Sequence, residues 1–126
     1  MDQLDRSLLQ LMMEIGFLAT GYGLFDDAEK IFTGLKQVCP ESCSPSIGLA
    51  FSKMSKGNME EAIVLLESEL ENQEKGKDAE LVRAYLALAL KLAGRSERAK
   101  SLAEELIKEG TQESAVNMAK AILEEV

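Results

Sequence analysis

Few residues of this chain belong to the types that perform catalysis or bind metals. The 126 residues include no histidine and only two cysteines, Cys39 and Cys43. A zinc site normally requires four ligands, so this pair does not predict one, and no metal or other cofactor is expected. We expect both thiols to be reduced, in a loop around Pro40, although the sequence leaves a regulatory disulfide open.

The carboxylates do not suggest an active site either. The sequence has no glycine-rich phosphate loop, and no serine or cysteine with a base at a recognisable spacing. Acidic residues occur as adjacent pairs that we expect to be solvated at exposed helix positions, namely Asp26-Asp27, Glu60-Glu61 and Glu104-Glu105. We therefore predict that the protein is not an enzyme.

The balance of charge restricts the possible partners. The chain has 14 basic and 22 acidic residues and a net charge of −8, which disfavours binding to nucleic acid or to an anionic membrane. The simplest interpretation is a surface that promotes solubility, and the alternative is steering toward a basic partner. The N-terminus does not resemble a signal peptide, and the longest apolar run, 84–90, is far too short for a membrane span. A cytoplasmic protein without membrane insertion is expected.

A short pattern that occurs three times organises the chain. The copies read Gly23-Leu-Phe25-Asp-Asp-Ala28, Gly57-Asn-Met59-Glu-Glu-Ala62 and Gly94-Arg-Ser96-Glu-Arg-Ala99. The first two glycines are 34 positions apart and the next step is 37. A fixed period of this length is typical of stacked helical hairpins. The composition agrees, because Ala and Leu are abundant, β-branched residues are sparse, and the two prolines lie close together.

Cap and turn signals place the helices between these glycines. Ser44-Pro45 and Asn58 read as helix starts, and Gly110 reads as a helix end. The predicted helices span 3–21, 25–38, 45–55, 59–73, 79–92, 96–109 and 112–125. The first six form three hairpins, and the seventh caps the open end. We predict one all-α domain over 1–126, an α-solenoid with repeats at about 8–41, 42–77 and 78–110 and a capping helix over 111–126.

The packing positions of these repeats resemble those of tetratricopeptide repeats. Repeat one matches at Met12, Ile15, Gly16, Ala19, Gly23, Phe25, Ala28, Phe32, Leu35 and Pro40. Repeats two and three match less completely, since they lack the bulky residue at the start of the first helix and the exit proline. The resemblance implies a right-handed stack in which small residues let paired helices approach closely.

The opposite face of each first helix lines a concave groove in tetratricopeptide proteins. The resemblance assigns to this groove the apolar residues Met13, Phe17, Ile47, Phe51, Met54, Leu81, Ala84 and Leu88, with Gln10, Thr20, Ser44 and Lys91 at the ends of the rows. A clamp for an acidic peptide terminus would need Lys, Asn and Arg there, so it is absent. Adaptable Met side chains suit the apolar face of an amphipathic helix. Alternatively, the seventh helix or the N-terminal turn fills the groove, or a self-dimer buries it.

The chain is short and acidic, and it is similar in this respect to the cytoplasmic chaperones of bacterial type III secretion. Its segment 16–35 (GFLATGYGLFDDAEKIFTGL) is also similar to these proteins. Within that group the chaperones of the needle subunit are most similar. The resemblance implies that the groove holds an amphipathic helix of the needle subunit and prevents its premature polymerisation. Self-association without the client is expected. The other possibilities are a tetratricopeptide adaptor or regulatory scaffold, and a chaperone of a translocator protein.

The same resemblance implies a second small helical partner, a co-chaperone, that packs on the N-terminal part of the chain. The residues assigned to this contact are Leu4, Leu8 and Leu11, which share one face of the first helix. The alternative is that these leucines contact the second helix of repeat one.

Overall fold

A computed structural model describes the backbone of residues 3–72 and 77–124 and the side chains of residues 6–72 and 79–124. In this part of the chain the regular structure is entirely α-helical, without a strand, which confirms the predicted all-α class. The seven described helices are α1 (Gln3–Gly21), α2 (Phe25–Val38), α3 (Ser44–Lys56), α4 (Met59–Asn72), α5 (Lys77–Leu92), α6 (Ser96–Glu109) and α7 (Glu113–Glu124). The described helix ends lie within two residues of the predicted ones; the predicted ends at 73 and 125 fall outside the described residues.

The three repeated glycines end helices in the same way. Gly23, Gly57 and Gly94 have φ values of 78°, 96° and 85°, a left-handed conformation that glycine adopts without a steric penalty. In each turn the N–H of the residue after glycine donates to a carbonyl five positions earlier, at distances of 2.8–2.9 Å. This is the hydrogen bond of a Schellman helix end. The repeated sequence pattern therefore corresponds to a repeated turn.

The helices form two compact units, Met1–Asn58 and Met59–Val126, called the N-terminal and C-terminal units below. In the N-terminal unit each of α1, α2 and α3 packs against the other two. Its core contains the fully buried Phe32 of α2, which faces Gly16 of α1 and Gly48 of α3. An aromatic ring thus fills space that two glycines leave open. α3 begins one residue earlier than predicted, with Cys43 rather than Ser44 as its N-cap.

The C-terminal unit contains α4 packed on α5, and then α5, α6 and α7 in mutual contact. Residues of the N-terminal unit correspond to those of α5–α7 at a shift of 71 positions, the distance from Gly23 to Gly94. At this shift the Phe32, Gly16 and Gly48 positions hold alanines, Ala103, Ala87 and Ala119, all fully buried or nearly so in one cluster. Three small residues replace one large residue and two glycines. Arg98 and Glu67 join α6 to α4 through an ion pair of 2.7 Å.

Candidate functional site

The groove residues predicted in repeats one and two lie together in the N-terminal unit, on α1 and α3. Phe17 and Phe51 are half-buried, with ring centroids 5.8 Å apart. Phe17 also contacts the buried Phe32 edge to face, with centroids 5.2 Å apart. Met13 is half-buried beside the same core, whereas Ile47 and Met54 are almost completely buried. The partly exposed apolar surface is therefore formed by Met13, Phe17 and Phe51, which we call the groove surface.

A pocket of about 340 Å³ lies beside Met13. It is lined by residues of α1, of the end of α2 and of the start of α3, namely Leu9, Gln10, Met13, Leu35, Cys39, Ser42, Ser44 and Pro45. Three of these, Gln10, Met13 and Ser44, are groove positions of the repeat alignment. A mostly apolar pocket of this size accommodates large apolar side chains of a ligand. Sequence reasoning placed the groove residues but gave no indication of a pocket.

In the C-terminal unit, the seventh helix lies against the groove positions of repeat three. Ala84 is fully buried in one cluster with α7 residues, and Leu88 packs against that cluster. The α7 members are Ala115, Ala119 and Ile122. Leu81 is half-buried. α7 therefore covers groove positions on α5. This is the arrangement expected from the alternative in which the protein's own last helix fills the groove.

Glu80 anchors the segment between α6 and α7. Its carboxylate accepts hydrogen bonds from the Thr111 N–H at 2.6 Å, the Thr111 hydroxyl at 2.8 Å and the Gln112 N–H at 3.0 Å. The hydrogen bonds from the Gln112 backbone and the Thr111 side chain hold the pKa of Glu80 below its usual value, with a smaller effect from the Arg83 charge. At the other end, Lys91 donates to the Ile122 carbonyl at 2.7 Å. α7 is thus held at both ends.

By sequence correspondence, the Glu80 contact falls at the positions that line an open pocket in the N-terminal unit. At the shift of 71 positions, Glu80 corresponds to Leu9 and Gly110 to Cys39, both of which line that pocket. A methyl group added to Gly110 would lie 2.9 Å from both Glu80 Oε1 and Val116 Cγ2, so this place is full. Sequence reasoning missed Glu80, because an acidic residue in the first turn of a helix normally indicates only a favourable helix dipole.

The residues assigned to the co-chaperone contact lie on the outer face of α1. Leu8 and Leu11 are 57% and 52% exposed, so neither is buried against α2. The side chain of Leu4 lies outside the described residues. Ile15, which the repeat alignment placed at a packing position, is 41% exposed on the same face. The packing face of α1 is the one that contains Gly16, next to Phe32.

Cys39 and Cys43 are both buried, and no disulfide joins them. In the part of the chain that the structure describes, no group of three or more Cys, Asp or Glu residues is arranged to hold a metal ion. None of the described helices has the length and apolarity needed to span a membrane.

Comparison with known proteins does not add an assignment. No family model matches this chain, and a search of curated proteins returns no match.

Proposed function

We propose that this protein is a non-enzymatic chaperone that binds an amphipathic helix of a partner on the groove surface. The observation that carries the proposal is the continuity of two apolar features in the N-terminal unit. The half-buried Phe17 and Phe51 lie side by side, and Met13 belongs both to the groove surface and to the 340 Å³ pocket. An aromatic surface next to a pocket provides what an amphipathic helix requires, a broad contact for its apolar face and a recess for one large side chain.

The partner that we propose, from the resemblance to type III secretion chaperones, is the needle subunit in the bacterial cytoplasm. A subunit that polymerises through an amphipathic helix exposes a surface that promotes assembly before export. Covering the apolar face of that helix removes this surface. The physical requirement on the chaperone is a partly dry apolar site, and the groove surface supplies one. Enzymatic chemistry is not needed for this role.

The affinity of such a contact would be concentrated in a few residues. Completing the burial of one large apolar side chain contributes roughly 1.5–3 kcal/mol at most, and less where the side chain is already half-buried. Aromatic residues at the centre of an interface commonly dominate the binding free energy. Phe51 is the best residue to test, because it is half-buried, whereas the neighbouring Ile47 and Met54 are almost fully buried.

The variant Phe51→Asp tests the proposal. A carboxylate at this position would be desolvated beneath the client helix, so binding should be abolished. The matched control is Val38→Asp, which introduces the same charge at an apolar residue that is 67% exposed on α2. Client binding is measured by co-purification with the needle subunit, and folding by circular dichroism. Val38→Asp should bind normally.

Two outcomes would contradict the proposal. If Phe51→Asp unfolds the protein while Val38→Asp does not, Phe51 belongs to the interior and the groove surface is core. If Phe51→Asp stays folded and retains the client at full affinity, the client binds elsewhere. An adaptor without a chaperone role would remain soluble and monodisperse without a client, whereas the chaperone is expected to aggregate or self-associate through its exposed groove surface.

A further inference from the structure

The outer face of α1 has an exposed apolar row that the packing of the N-terminal unit does not cover. The row consists of Leu8, Leu11, Ile15 and Leu18 of α1 and of Tyr22, the first residue after the helix; they are 57%, 52%, 41%, 60% and 75% exposed. In the described part of the chain it contains five of the ten large apolar side chains that are exposed. Intervals of three, four, three and four residues are those of the seam between two coiled-coil helices. The row therefore has the form of a helix-pairing surface.

The near-absence of charge on this helix permits a partner that is itself acidic. Between Ser7 and Tyr22 the only charged residue is Glu14, whereas 29% of the whole chain is charged. A second copy of this chain would carry the same net charge of −8. Two such copies repel one another least along a face that is almost free of charge. The near-absence of charge on α1 therefore permits contact between identical chains.

The spacing of the row is self-complementary when two copies run antiparallel. It is symmetric about Met13, because Leu8 and Leu18 lie five positions from it and Leu11 and Ile15 lie two. An antiparallel pair centred at Met13 places Leu8 of each copy at the level of Leu18 of the other, and Leu11 at the level of Ile15. By sequence position, residue 4, also leucine, falls opposite Tyr22. Every layer of the pair is then apolar on both sides.

We propose that α1 pairs antiparallel with α1 of a second copy of this chain, in a two-fold symmetric contact that takes the place of the co-chaperone contact assigned to Leu8 and Leu11 by the resemblance. Each of the five side chains leaves about half of its surface in solvent, on the order of 100 Å² apiece. Two copies would together bury at most about 1,000 Å², which lies at the lower limit for a specific interface. The proposal does not rest on the proposed function, since the groove surface lies on another face of α1.

The oligomeric state of the full-length chain tests this pairing. Light scattering after gel filtration, over a wide range of concentrations, should show a dimer. Leu11→Glu should raise the dissociation constant about tenfold or more, because the carboxylate would be buried opposite Ile15. The matched control is Leu92→Glu, at a residue of α5 that is 55% exposed, and it should leave the dimer unchanged. Circular dichroism verifies that both variants are folded. A monomeric wild type, or a Leu11→Glu variant that dimerises normally, would overturn the proposal.

Disulfide trapping tests the orientation. In a background with Cys39→Ser and Cys43→Ser, one chain carries Leu11→Cys and a second, tagged chain carries Ile15→Cys. With oxidised glutathione, the antiparallel pair should give cross-linked dimers mainly when the two chains are mixed, because positions 11 and 15 face each other. Leu11→Cys alone should cross-link poorly, since its copies lie four positions apart. If each chain cross-links efficiently with itself, and no cross-link forms between the two chains when they are mixed, the antiparallel arrangement is refuted.

Discussion

Replacing Gly48 with alanine tests the packing that joins α1, α2 and α3. A Cβ atom at Gly48 would lie 2.6 Å from Phe32 Cδ1, and one at Gly16 would lie 2.6 Å from Phe32 Cζ. Contacts this short do not occur in folded proteins, so the ring or the helices must move. The Phe32 ring is fully buried between the two glycines. It cannot retreat from position 48 without approaching position 16.

The expected loss of stability follows from two opposing effects. Overpacking of a core by one carbon usually costs about 1–3 kcal/mol, and the enclosed ring places this site in the upper half of that range. Alanine in a helix interior recovers about 0.5–1 kcal/mol, because it has less conformational freedom than glycine in the unfolded chain. The net free energy of unfolding should fall by about 1–2.5 kcal/mol. At roughly 3–5 °C per kcal/mol for a chain of this length, the melting temperature should drop by roughly 3–12 °C.

Urea unfolding followed by circular dichroism measures this loss, with Gly34→Ala as the matched control. Gly34 lies in α2, and a Cβ atom there would meet nothing within 4 Å. The control should therefore gain about 0.5–1 kcal/mol. Adding Phe32→Leu to Gly48→Ala should cost less than the sum of the two single changes, because the smaller side chain relieves the overlap. If Gly48→Ala proves as stable as Gly34→Ala, Phe32 is not confined in the way described.

Two further predictions concern Glu80 and the thiols. Glu80→Gln should lower the urea midpoint at neutral pH, whereas Glu109→Gln, at an exposed residue of α6, should not. Because folding lowers the pKa of Glu80, the difference in urea midpoint between the wild type and Glu80→Gln is full above the ordinary glutamate pKa of about 4.5. It declines as the pH falls through the lower pKa of the folded state. Midpoints that differ equally at pH 7 and at about pH 3 would contradict this. Cys39 and Cys43, which are 6% and 2% exposed, should react slowly with a thiol reagent until urea unfolds the chain. Their joint replacement by Ser should change client affinity by less than about tenfold, or 1.4 kcal/mol.

The helix boundaries could be predicted because their signal is local. Gly23, Gly57 and Gly94 occur where the backbone adopts positive φ, and few other residues accept that conformation. For α3 the sequence predicts a start one residue late, because Ser44-Pro45 reads as a cap followed by proline at the first helical position. In the structure Ser44 is already helical, and its N–H donates to the Ser42 hydroxyl at 3.2 Å.

The burial of individual side chains on α1 could not be predicted in the same way. This helix is apolar on more than one face, so periodicity alone does not identify the side that packs. The repeat alignment placed both Ile15 and Gly16 in the core. The deciding factor is the size of Phe32, which requires a glycine opposite it and so turns Gly16 inward, while Ile15 remains 41% exposed. Likewise, Glu80 and Thr111 meet 31 positions apart, and no local pattern reports that contact.

The contrast between the two units links this packing to the proposed binding site. The C-terminal unit has alanine at the positions equivalent to Phe32, Gly16 and Gly48. There α7 packs extensively on α5 and covers Ala84. In the N-terminal unit, Phe32 supports Phe17 through an edge-to-face contact, and Phe17 in turn contacts the half-buried Phe51. A displacement of Phe32 should therefore be transmitted to the groove surface. Gly48→Ala should weaken client binding as well as lower stability, and Gly34→Ala should affect neither adversely. If Gly48→Ala destabilises the fold but leaves client affinity unchanged under folding conditions, the aromatic cluster does not support the binding surface.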